Sequence, residues 1–176
     1  MADHRIRWGV LDDAREVAIV HVESWRHGYA GLIDQQVLDA LSVDERTEGW
    51  GGWITTSTTP AQPHRLLVAE VDGVIAGWAT FGPGRDPGMG GHGELAGLYV
   101  HPDHWSTGVG HALIRRAEHE LRSAGFTDAY LWALRGNDRA FAFYERQGWT
   151  ADGGEKVAEV AGATLHERRF SRRLEG

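Results

Sequence analysis

Residues 94–134 read as a strand, a turn, a long helix and a second strand, an order that commits the chain to a sheet with a helix laid on it. Glu94-Leu95-Ala96-Gly97-Leu98-Tyr99-Val100 is a largely apolar run closed by His101-Pro102. Over 108–124, Val109, Leu113, Ala117 and Leu121 recur at every fourth position and Ile114 widens the stripe, so one helical face must be buried. Gly125 supplies a left-handed stop, and another strand follows over 126–134.

The flanking segments extend the same pattern. Asp72-Gly73 lies between apolar runs at 65–71 and 74–81, a strong hairpin signal because a tight primed turn needs positive φ at both central positions. A first short strand is expected over 5–10. Asp12 or Asp13 then caps a helix bearing Val17, Val20, Val22 and Trp25, which runs out near 28–31. Asp34 offers a second cap ahead of Val37, Leu38 and Leu41. A weaker helix is expected over 43–54, with Gly49, Gly51 and Gly52 counting against it. Residues 55–63 read as a loop. Residues 82–93 hold six glycines and two prolines, and are expected to be irregular and mobile. Asn137 or Asp138 caps a helix with Phe141, Phe143 and Tyr144 that Gly148 stops, and 149–174 read as two strands around Gly162. The fold class is α/β (α+β), a single domain over 1–176 built on a mixed sheet.

Composition removes several kinds of chemistry. Without cysteine there is no thiolate nucleophile, disulfide or cysteine-held metal. His101 and His104 lack a suitably spaced third ligand, so no metal is expected. A net charge of −7 argues against a nucleic-acid partner. No apolar run approaches the ~20 residues of a membrane span, and the first eight residues lack a signal-peptide core. The expected location is cytoplasmic.

The segment Val100-His101-Pro102-Asp103-His104-Trp105-Ser106-Thr107-Gly108-Val109-Gly110-His111 feeds a strand into the long helix. Unpaired amides and the positive end of a helix dipole suit such a turn to phosphate oxygens. It is not a dinucleotide fingerprint, because Leu113 stands where the third glycine belongs. Nor is it a nucleotide-triphosphate loop, since the one lysine is Lys156.

Two elements together carry a family resemblance. The first is Leu98-Tyr99-Val100-His101-Pro102 followed by Trp105-Ser106-Thr107-Gly108-Val109-Gly110; the second is Asn137, Ala140, Phe143, Tyr144, Glu145, Gly148 and Trp149. The sequence resembles the GNAT superfamily of acetyl-coenzyme A-dependent N-acetyltransferases over nearly its whole length. The resemblance implies a mostly antiparallel mixed sheet flanked by helices, with acetyl-CoA as donor. It implies that the backbone of Leu98, Tyr99 and Val100 holds the pantetheine arm, with the amide of Val100 or its neighbour on the thioester oxygen. The amides of Ser106, Thr107, Gly108, Val109, Gly110 and His111 would hold the pyrophosphate, and Asn137, Ala140 and Tyr144 would complete the cofactor side. Trp105 stands where the family has glutamine or arginine, so that side chain's help is not carried over.

The same resemblance implies that Tyr144 protonates the departing sulfur; packing in a helix stripe with Ala140 and Phe141 is the alternative. For the base it points to Glu94, whose pKa burial beside the donor would raise; a solvated glutamate at a strand end is the other reading. His92 and Glu23 stand behind it. Glu23, Trp25 and Tyr29 are candidates for the acceptor side, with a core role open for the last two. Residues 1–60 carry ten acidic and five basic side chains, suggesting attraction of a cationic amine. The implied acceptor is the primary amine of a small molecule. A protein N-terminus or lysine, or a non-catalytic acetyl-CoA sensor, are the alternatives. Homodimerisation is neither supported nor excluded by the sequence.

Overall fold

Short-range turn chemistry and long-range packing divide the work of shaping this chain. The computed structural model describes residues 4–57 and 63–174. In chain order it contains β1 (His4–Trp8), α1 (Ala14–Gly28), α2 (Gln35–Asp39), α3 (Val43–Ser57), β2 (Arg65–Val71), β3 (Val74–Pro83), β4 (Gly93–Val100), α4 (Val109–Ser123), β5 (Asp128–Leu134), α5 (Asp138–Arg146), β6 (Thr150–Val160) and β7 (Ala163–Arg173). The described strands form one sheet in the order β1-β2-β3-β4-β5-β7-β6. Every neighbouring pair is antiparallel except β4 and β5.

The β2–β3 hairpin closes through Asp72 at φ 50° and Gly73 at φ 81°, the primed geometry that the dipeptide favours. Alternation along β2 then serves both faces. Leu67 and Ala69 point to the side covered by α4, where Leu113, Ile114, Ala117 and Leu121 pack with Leu95, Leu131 and Phe170. Leu66 and Val68 point to the other side, where Val17 and Val20 of α1 and Ile54 of α3 meet Trp78. The sheet is thus covered on both faces, and a Leu113→Ala truncation in that packing would cost about 2–5 kcal/mol.

Three expectations change in the structure. The weak helix is unbroken to Ser57, because Trp50, Trp53 and Ile54 bury against α1 and the sheet, while Gly49 and Gly52 face open space. The rest of the expected 55–63 loop, up to residue 62, lies outside the described residues. Asp13 occupies the position before α1, yet its carboxylate does not cap the helix. It takes two hydrogen bonds from Arg7 at 2.7 and 2.9 Å and one from the Val10 amide at 2.8 Å.

The third change concerns 82–93. Pairing of β3 with β4 continues to Pro83↔Gly93, and the Gly84 amide donates to the His92 carbonyl at 2.8 Å. The Arg85 and Asp86 amides both donate to the Tyr130 hydroxyl of β5, at 3.2 and 3.3 Å. Between these strand ends residues 84–92 are irregular, as the glycine content leads one to expect, with Arg85 reaching Glu94 of β4 and Asp86 reaching Trp132 of β5.

Candidate active site

The parallel pair at the centre of the sheet is short. β4 and β5 align only at Gly93↔Ala129, Glu94↔Tyr130 and Leu95↔Leu131. Just beyond, the β3–β4 register shifts between Thr80 and Phe81, with Leu95 and Gly97 as partners on β4. The extra residue, Ala96, is a bulge that bends β4 away from its parallel neighbour. From Ala96 to Val100 the edge of β4 facing β5 therefore has no strand partner, while β5 turns to β7 instead. A cleft of about 470 Å³ opens there.

One end of the cleft is the turn into α4. Ser106 at φ 63° and Gly108 at φ 95° form its bend, and no side chain caps α4. The first amides of a 15-residue helix are left for a ligand, with the positive dipole end behind them. Gly110 keeps the approach close, since a Cβ there would meet the Phe143 ring at 3.3 Å. Trp105 supplies no charge, but its indole N–H holds the Val100 carbonyl at 2.8 Å. Over its ring, 3.5 Å from the centroid, lies the Arg139 guanidinium. Burial lowers the Arg139 pKa from the ordinary arginine value, and among the described residues no carboxylate pairs with it.

Tyr144 stands midway, packed between Phe143 and Phe170. Asn137 positions it by accepting the Ala140 amide at 3.2 Å and so starting α5. Burial pushes the Tyr144 phenol well above the ordinary tyrosine value, with the nearby Tyr99 adding to the rise, so it carries its proton at neutral pH. Its hydroxyl has no hydrogen-bond partner among the described residues.

The far end brings together Tyr29, Tyr99, Arg85, Glu94, Trp132, Lys156, Val160, Leu165 and Glu167. The Tyr29 and Tyr99 hydroxyls share a hydrogen bond of 3.0 Å, and burial raises both phenols. Arg85 grips Glu94 at both oxygens, at 3.0 and 2.8 Å, and its amide donates a third bond at 3.1 Å. Burial also pushes Tyr130 up to about 12.

The positions suggested by the sequence separate accordingly. Leu98, Tyr99, Val100, Trp105, Ser106, Gly108, Gly110, His111, Asn137, Ala140 and Tyr144 all line the cleft. Val109 is instead buried beneath it, and Thr107 turns its hydroxyl to the His104 carbonyl. Tyr29 reaches the far end, but Glu23 and Trp25 do not line the cleft. Glu23 pairs with Arg26 at 3.3 Å, and Trp25 is core, packed on Tyr29 and His21. Glu94 is in place but is no free carboxylate, because Arg85 occupies both its oxygens. Sequence reasoning missed Arg85, Arg139, Lys156 and Glu167. For Glu167 a signal existed: alternation along β7 puts it on the face of the buried Ala163 and Leu165.

An open mixed sheet whose central parallel pair splits beside an uncapped helix N-terminus offers free backbone groups and helix-start amides to a long, phosphate-bearing ligand. Comparison with known proteins agrees. The model of the acetyltransferase (GNAT) family matches residues 36–149. The uncharacterized N-acetyltransferase YuaI of Bacillus subtilis strain 168 is 30% identical over 166 residues, covering 92% of this chain and 88% of YuaI. The chain belongs to the acetyltransferase (GNAT) family. Its fold is also that of the PaiA N-acetyltransferase of Thermoplasma acidophilum, solved in complex with coenzyme A, with a TM-score of 0.75, 22% identity and coverage of 97% and 99% of the two chains. YncA of Salmonella typhimurium, solved with acetyl-CoA, gives a TM-score of 0.72 at 20% identity, covering 99% and 96%.

Among the described residues no helix is long and apolar enough to cross a membrane, and no group of three or more His, Asp or Glu side chains is placed to hold a metal ion.

Proposed function

We propose that this protein transfers the acetyl group of acetyl-CoA to the primary amine of a small molecule, by direct attack in a ternary complex. The observation that carries the reading is the unpartnered edge of β4 running from the uncapped α4 turn past Tyr144. Acetyl-CoA supplies the activated thioester. The chain's residues fit it: helix-start amides for the pyrophosphate, free β4 backbone groups for the pantetheine amides, and a protonated phenol for the leaving sulfur. The resemblance gives the thioester oxygen to the amide of Val100 or its neighbour; because Val100 adjoins the α4 turn that takes the pyrophosphate, an amide further along that edge, toward Leu98, suits the thioester better.

A small acceptor is favoured because side chains from three elements, Tyr29 at the end of α1, Val160 of β6 and Leu165 of β7, line the cleft together. Thiol release from acetyl-CoA, measured with panels of amino acids, polyamines, amine-bearing antibiotics and peptides, tests this. Turnover with small amines supports the reading. Turnover with peptides alone would replace it by a protein acetyltransferase, and tight donor binding without turnover by a sensor.

A further inference from the structure

Two carboxylates line the cleft, Glu94 and Glu167. They differ in what holds them. Glu94 is nearly inaccessible, with a side-chain exposure of 5%, and is gripped by Arg85 at both oxygens. To accept a proton there would mean breaking a bidentate, charge-assisted pair. Glu167 receives no hydrogen bond from any described residue. Its one ion-pair partner within 4 Å is Lys156, opposite it on β6, at the long distance of 3.9 Å.

We propose that Glu167 is the carboxylate that takes the proton from the acceptor amine. It sits on β7 opposite Leu134 of β5, on the far side of the strand gap from Tyr99 of β4. The titratable and charged groups facing it are Lys156 from β6, Asp86 from the β3–β4 connection, Tyr29 from the end of α1 and Tyr99 from β4. Burial raises the Glu167 pKa above the ordinary glutamate value and Asp86 adds to the rise, while Lys156 holds it back. Lys156 is itself drawn toward Asp86, at 3.7 Å, and lies 4.5 Å from the Trp132 ring centroid. A carboxylate that is accessible, unbonded and partly desolvated is suited to deprotonate an ammonium group.

The step balances as follows. Glu167 accepts one proton from R–NH3+ and passes it to solvent. The amine lone pair attacks the thioester carbon, forming the C–N bond, and the C–S bond breaks with its electron pair on sulfur. Tyr144 gives its proton to that sulfur, and the second amine proton restores the phenol. The third remains on the amide product.

The inference rests on the acetyl-transfer reading, and the experiment separates the two. Wild-type turnover with any small amine of the panel establishes the reading; no turnover on any panel overturns both. With the best such amine, Glu167→Gln is expected to lower kcat/KM by about 10²-fold or more while leaving coenzyme A affinity by calorimetry unchanged. Its acid limb in the pH–rate profile should vanish. Lys156→Met should move the acid limb of whatever turnover it keeps to higher pH, because it removes the charge that holds Glu167 down. A Glu167→Gln variant that binds coenzyme A normally and keeps both its rate and its acid limb would overturn the assignment.

Discussion

At the scale of single residues, burial decides which groups can exchange protons. Tyr144 keeps its proton because the cleft wall desolvates it, which is what a donor to sulfur requires. Tyr144→Phe should lower kcat by about 10²-fold or more with little change in coenzyme A affinity, read by thiol release and calorimetry. His21 illustrates the opposite use. It sits among Trp25, Trp50, Trp78 and Tyr99, accepts the Trp50 indole N–H at 3.2 Å, and is held by burial down to about 3. Its folded pKa lies below its ordinary value of 6.5, so folding keeps it neutral while the unfolded chain takes up a proton. The stability this gives is fully present above pH 6.5 and is lost as pH falls toward 3. Urea unfolding at pH 7 and pH 5 should show the loss in the wild type and a smaller one in His21→Phe.

At the scale of elements, α3 shows why three glycines did not stop a helix. Its stability comes from the face that Trp50, Trp53 and Ile54 bury, and packing of that kind outweighs propensity. Gly49 and Gly52 remain a cost, because an added Cβ meets nothing within 4 Å at either position. The double substitution Gly49→Ala and Gly52→Ala should stabilise the protein by roughly 1–2 kcal/mol in urea unfolding. Elements set by local turn chemistry were legible in the sequence: Asp72-Gly73, Asp34 ahead of α2, the Gly108 bend and the Asn137 cap all stand as read. The far end of the cleft was not. Arg85 meets Glu94 only because the β3–β4 connection folds back, and Lys156 meets Glu167 only through the β6–β7 register. Neither pairing is written in local spacing.

At the scale of the whole molecule, charge is distributed otherwise than composition implies. Within the acidic N-terminal segment Asp13 is tied to Arg7, Glu16 accepts from the Ile75 amide and Glu23 pairs with Arg26, while Asp12, Asp34 and Glu45 stay exposed. The cleft itself is lined by Arg85, Arg139, Arg146 and Lys156 against Glu94 and Glu167. That balance suits the polyanionic donor. Raising salt should therefore weaken coenzyme A binding in calorimetry more than it raises KM for the amine. The split in the sheet has a mechanical side as well. Between β4 and β5, backbone pairing is confined to the three residue pairs from Gly93 to Leu95, so the sheet is built as two panels stitched at one end. A molecule lying along the open seam would act as a brace, tying panel to panel as the missing strand pairs would have done. Occupancy and rigidity would then rise and fall together, and slower amide exchange in β5 on adding coenzyme A would register that brace directly.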